Sequence, residues 1–149
     1  MKTWYSHKFK YSAVRYEIGL CILTGCIVWI NGPFPAGLYS DITIFWQNLK
    51  GALGKNERVV ADDGYIGEAP EYVKCLAKTF QSNTKMFQNV RARHETVNNR
   101  FKFFCSMKSI WRHDVSLHSK CFCAIAVLTR LAIEKGEILW KIDYFDPDL

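Results

Sequence analysis

The sequence has no internal repeat, no low-complexity tract and no Pro/Gly/Ser-rich linker, so nothing in it marks a boundary and residues 1–149 are expected to form a single domain. No apolar run reaches the ~20 residues that cross a bilayer. The longest, IGLCILTGCIVWI at 18–30, is broken by Thr24-Gly25 and reads as two strands and a tight turn, with no membrane as partner. No C-x-x-C or H-x-x-x-H pair occurs; Cys121-x-Cys123 beside His113 and His118 therefore reads as core rather than as a zinc site. No basic n-region with an apolar h-region opens the sequence, and the six cysteines fall mostly in apolar runs, so they are expected to be buried thiols of a reducing compartment. A separate helix-turn-helix or zinc finger is also missing, which removes the usual devices for reading bases.

What is present is apolar and aromatic matter enough for a core, at 49% and 15% of residues. The formal charge of +6 is concentrated: Arg91, Arg93, Arg100, Lys102, Lys108, Arg112 and Lys120 stand against only Glu95 and Asp114 in the same stretch. Charge alone leaves two readings open, a polyanionic partner such as DNA or a solvated helical face.

Strands are expected at 14–22 and 26–31, followed by a loop, NGPFPAGLYS. Ser40 or Asp41 caps a helix to about Ala52, with Ile42, Phe45, Trp46 and Leu49 as its apolar face. Arg58 to Ala61 is the next strand. PEYVKCLAKTF, from Pro70, is expected to be a short helix. A longer helix spans about 87–105 on the stripe Val90, Val97, Phe101 and Phe104, with Glu95, Asn98, Asn99 and Lys102 on its polar face. A third, about 117–134, is apolar nearly all round and expected to be buried, and EILWKIDYF alternates like a last edge strand. The order of elements predicts an α/β fold with a mixed sheet flanked by helices.

Two acids stand out. In RVVADDGYIG a strand ends in Asp62 and Asp63 before Gly64, which fits an ordinary turn as well as a metal ligand. Glu95 lies among cations, where a surface ion pair of little energetic weight is the plain alternative to a site residue.

Ordered blocks through nearly the whole chain bear on that choice: WYSHKFK, VRYEIGLCI, IVWINGPFPAG, DITIF, ERVVADDGYIGEAP, RARHETVNNRFKFF, WRHD and AIAVLTRLAIEKGEILWKIDY. With its D-x-G-Y and R-x-R-H-E-T-x-N-x-R-F elements, the chain resembles the DDE superfamily endonuclease domain of Harbinger-like transposases. The resemblance implies a ribonuclease-H-like fold in which three acids bind two divalent cations, Mg²⁺ or Mn²⁺, and cut or join phosphodiester bonds in DNA. Carboxylate oxygens are the hard ligands such ions take, and paired ions about 4 Å apart serve the attacking and leaving oxygens.

Carried over residue by residue, Asp62 and Glu95 are the implied catalytic metal ligands, 33 positions apart, and Asp63 and Gly64 are left to the turn. Arg91, Arg93, Arg100 and Lys102 are implied to lie against DNA backbone, while His94 is open between a phosphate contact and a structural hydrogen bond. The family's first acid lies on a strand upstream of the WYSHKFK block. The chain is therefore expected to lack that strand, to be partial at its N-terminus, and to need a protein partner or a second copy over the exposed sheet edge. The alternative is a catalytically inactive fragment that retains only metal or DNA binding. A nuclear location, otherwise a cytoplasmic one, goes with the implied substrate.

Overall fold

The structure, a computed structural model, describes residues 2–8, 10–75 and 85–139. It is mixed α/β, and its contacts gather into two compact units, the first holding residues up to 17 with the stretch from 31 to 75, the second holding 18–30 with 85–139. Strands β1 (Tyr5–Ser6) and β2 (Tyr11–Ser12) pair antiparallel, with Tyr5 opposite Ser12. Strands β3 (Val14–Leu20) and β4 (Ile27–Pro35) pair with each other through the expected tight turn, in which Gly25 adopts φ 75° and donates its N–H to the Cys21 carbonyl at 2.8 Å.

β4 runs on through Pro35, where a loop was expected. Two physical features allow it. Gly32 holds φ +136°, and a Cβ there would stand 2.7 Å from Tyr16 Cδ1, so only glycine lets the strands approach. Both strands of a two-stranded sheet are edges, where proline's missing N–H costs no ladder bond.

In the first unit the expected helix from Ser40 is two pieces, α1 (Asp41–Gln47) and α2 (Leu49–Ala52), parted at Asn48 with φ −139°. Ser40 caps α1 by accepting from the Thr43 N–H at 3.3 Å. The buried residues are Ile44 and Phe45; Trp46, expected inside, is 53% exposed because its indole N–H reaches the Glu68 carboxylate. Lys50 meets the same carboxylate at 2.8 Å, and these two contacts, Lys50 first, hold the Glu68 carboxyl below the ordinary carboxylate range.

Strand β5 (Val59–Ala61) pairs in parallel with β6 (Val73–Cys75), joined by a 3-10 helix, Asp63–Glu68. The helix expected from Pro70 is corrected over its described part, since residues 73–75 are a strand. Val73 is β-branched, fully buried and opposite Val59, so pairing and burial override the helical reading. The remainder of that expected helix, 76–84, lies outside the described residues. Among the described residues the strands form three two-stranded sheets rather than one mixed sheet.

The second unit is built on α3 (Lys85–Phe101) and α5 (Val115–Glu134), with a short α4 (Cys105–Lys108) between them. Phe101 and Phe122 stack at 5.0 Å between centroids and, with Val97, Ile125, Ala126 and Ile133, fill the core. α3 ends four residues before the expected stop because two tight turns, Phe103 N–H to Arg100 O and Phe104 N–H to Phe101 O, break the ladder and leave Phe104 36% exposed. Asp114 caps α5 from the Ser116 N–H at 2.7 Å. Its far end closes on Gly136 at φ 95°, with Gly136 N–H bonded to Ile133 O and Glu137 N–H to Ala132 O, the paired bonds of a Schellman stop.

α5 has the length and mean hydropathy of a membrane-crossing helix, a property core helices share. It buries one face only: Leu117, Val127, Leu128 and Leu131 are about half exposed or more, against the expectation of burial all round. Residues 137–139 are not strand, and the rest of the expected last strand lies outside the described residues.

Candidate metal and nucleic-acid site

β5 delivers Asp62 at its C-terminal end, where the backbone is still extended (φ −79°, ψ −177°) and the carboxylate Oδ1 accepts from the Gly64 N–H at 3.0 Å. The turn that the sequence assigned to Asp63-Gly64 is therefore capped by Asp62 itself. That cap engages one carboxylate oxygen and leaves the side chain exposed. From the neighbouring strand the Cys75 thiol donates to the Asp62 carbonyl at 3.5 Å; burial first, then Asp63 and Asp62, push its pKa up.

Other acids gather round this turn. The Asp41 carboxylate faces Gly64, and a Cβ added there would meet Asp41 Oδ2 at 3.2 Å and Asp62 Oδ1 at 3.0 Å, a tight fit that those side chains would have to yield to. Arg15 binds Asp41 at 2.8 Å. Glu17 lies 94% buried in β3 and accepts from the Tyr65 hydroxyl at 3.5 Å. Burial, followed by the charges of Glu17, Asp41 and Asp62, drives the Tyr65 pKa far above its ordinary value, so the phenol stays protonated as a donor. Glu17 and Tyr65 were not singled out in the sequence, and Asp41 was read there only as a helix-start residue. A signal existed for Glu17, the lone acid in the apolar strand VRYEIGL, while the approach of Asp41 to Gly64 depends on tertiary structure.

Glu95 belongs to the second unit and is exposed on α3, in a stripe with Gln88, Arg91, Asn99 and Lys102 at helical spacings of three and four. Asn98, expected on that face, turns inward and donates to His94 Nδ1 at 3.1 Å, and His94 Nε2 meets the Ile18 carbonyl at 3.2 Å. His94 thereby ties α3 to β3 through structural hydrogen bonds.

The four cations separate into two kinds. Arg93 donates to the Ile22 carbonyl at 2.8 Å, and Arg100, 14% exposed, pairs with Glu137 and donates to the Ile138 carbonyl. Arg91 and Lys102 are exposed beside Glu95.

Asp62 and Glu95, each in its own unit, carry exposed, hard oxygen donors of the kind Mg²⁺ and Mn²⁺ take. Among the described residues no group of three or more His, Cys, Asp or Glu is arranged to hold a metal ion. The cysteines are not the buried thiols expected: Cys105 and Cys123 are exposed and the other four half-buried, because the helix and turn faces that carry them are only partly covered. Comparison of the chain with protein-family models, with curated proteins and with solved structures finds no match.

Proposed function

We propose that the chain is a transposase-derived DDE-type endonuclease domain of ribonuclease-H-like fold, in which Asp62 and Glu95 bind a divalent cation, Mg²⁺ or Mn²⁺, for phosphodiester cleavage or strand transfer in DNA. The observation that carries this reading is the placement of Asp62: the acid of the D-x-G-Y element stands exposed at a strand end, shaping its own turn with one carboxylate oxygen. Glu95, the acid of the R-H-E-T element, stands equally exposed on α3. When bound, paired divalent ions supply an activated attacking oxygen and a stabilised leaving oxygen. The chain's own residues hold the carboxylates in place. Gly64 N–H orients Asp62, and the His94 and Asn98 bonds fix the helix that carries Glu95. Arg91 and Lys102 offer charge to a phosphate backbone, with Arg93 and Arg100 bracing the segment that presents them. A nuclear location and a protein partner or second copy over the sheet edge belong to the same reading.

A second reading is a fragment that binds metal or DNA without cutting. It is favoured by the engagement of Asp62's acidic neighbours, Asp41 by Arg15 and Glu17 by Tyr65, which ties up the carboxylates that would complete a metal site with Asp62. Nicking of supercoiled DNA by the full chain with Mn²⁺ decides between them. Nicking that disappears in both Asp62→Asn and Glu95→Gln supports the first reading. Absence of nicking by the unaltered chain, with Mn²⁺ binding retained, supports the second.

A further inference from the structure

The second unit contains a shallow open cleft of about 260 Å³ between α4 and the loop that leads into α5, lined by Ser106, Ser109, Ile110, Trp111, Arg112 and His113 among others. Neither Asp62 nor Glu95 belongs to it. Its volume falls below the ~300 Å³ at which drug-sized pockets begin, so it suits one flat ring system with a small polar appendage.

Trp111 is held in place on several sides. Its indole N–H donates to the Asp114 carbonyl at 3.0 Å, and its ring meets His113 edge-on at 5.4 Å and His118 at 4.9 Å. An aromatic wall fixed in this way loses little freedom when a second ring packs on it. Arg112, Ser106 and Ser109 also line the cleft, the Ser106 hydroxyl accepting from the Cys121 thiol at 3.5 Å. From Lys102 to Asp114 the chain carries Lys102, Lys108 and Arg112 against one acid, Asp114, whose carboxylate caps α5. Ile110, in the lining, is 82% exposed, an apolar side chain left to water without a partner.

A fixed aromatic wall, an arginine in the lining and a local excess of cations together describe a site for an unstacked nucleotide. The base lies against the aromatic ring and the phosphate meets the arginine fork. A duplex cannot use such a site without opening, because its bases are stacked inside. An acidic peptide would satisfy the charge but leave the aromatic wall without a flat partner.

We infer that the cleft at Trp111 and Arg112 binds one nucleotide of single-stranded DNA, its base against Trp111 and its phosphate on Arg112. The site works without a metal ion and independently of Asp62 and Glu95.

The test is fluorescence anisotropy of a labelled oligothymidylate with the full chain in EDTA, beside an abasic oligonucleotide of equal length, a hairpin duplex and an oligouridylate. The expected result is binding of oligothymidylate roughly 5- to 150-fold tighter than the abasic strand, the range of one base–aromatic stack. Trp111→Ala is expected to erase that difference. Arg112→Gln is expected to weaken both strands and to reduce the salt slope by about 0.7. Equal affinity for the abasic strand and oligothymidylate overturns the inference, as does tighter binding of the hairpin duplex or of oligouridylate. The abasic comparison uses the unaltered chain and stands even if Trp111→Ala fails to fold. Since EDTA removes divalent ions, failure here leaves the reading of Asp62 and Glu95 untouched.

Discussion

Substituting Asp62 separates the turn from the metal chemistry. Asp62→Asn keeps an oxygen for the Gly64 N–H, and asparagine caps as well as aspartate, so the bond at 3.0 Å survives. It also removes one of the three charges that raise the Tyr65 pKa, while that phenol stays protonated either way. The net change in folding free energy should therefore stay within about 0.5 kcal/mol. Asp62→Ala loses the cap. Losses of this kind run from about 0.5 to 2 kcal/mol, and an exposed bond on a short 3-10 helix belongs near 1 kcal/mol. For a chain near this length that lowers the melting midpoint by about 2–4 °C. Thermal unfolding followed by circular dichroism, first in EDTA and then in excess Mn²⁺, reads both effects. In EDTA the order should be wild type and Asn together, Ala below. In Mn²⁺ only the wild type should rise, because a ligand that binds the folded state stabilises it by mass action. An Asn variant as unstable as Ala would mean that charge, not the hydrogen bond, holds the turn. An Asn variant that gains the same Mn²⁺ shift as wild type would remove Asp62 from the metal site.

Other predictions follow from the packing. Phe122→Ala should cost about 3–5 kcal/mol in chemical denaturation, since Phe122 is 6% exposed against Phe101, and a double-mutant cycle with Phe101 should show coupling near 1 kcal/mol. A loss under 1 kcal/mol would mean that α3 and α5 do not share this core. Burial lowers the His118 pKa, so its neutral form is favoured in the folded state. Stability should be full above the unfolded value of about 6.5 and fall as pH drops through the folded one. His118→Phe should flatten that slope in unfolding midpoints measured between mildly basic and acidic pH, and an unchanged slope would assign the loss to other groups. Glu95→Gln should leave the melting midpoint within about 1–2 °C, as exposed substitutions do, so any lost nicking would reflect chemistry rather than folding.

The sequence was informative where a local rule had no competitor. The N-cap at Ser40, the hairpin at Gly25 and the stop at Gly136 rest on single-residue stereochemistry, and each is found where it was expected. It misled where burial outvoted propensity. Val73–Cys75 carries a helix-like context but is held as a strand by Val59, and Trp46 leaves the apolar face because Glu68 offers its indole a partner. Of the candidate site, the structure reports position and exposure: Asp62 follows a strand end, Glu95 sits on α3, and both are exposed, as are Arg91 and Lys102. The carbonyl contacts of Arg93 and Arg100 and the gathering of Glu17 and Asp41 at Tyr65 join residues 24 to 71 positions apart, which no spacing rule reaches.

The central claim is that Asp62 and Glu95 serve one divalent cation site, and calorimetric titration of Mn²⁺ into wild type, Asp62→Asn, Glu95→Gln and the double variant tests it most directly. The account predicts binding by the wild type, severe loss in each single variant and no further loss in the double variant, because ligands of a common site are not additive. Mn²⁺ binding that survives both single substitutions at wild-type affinity would contradict it.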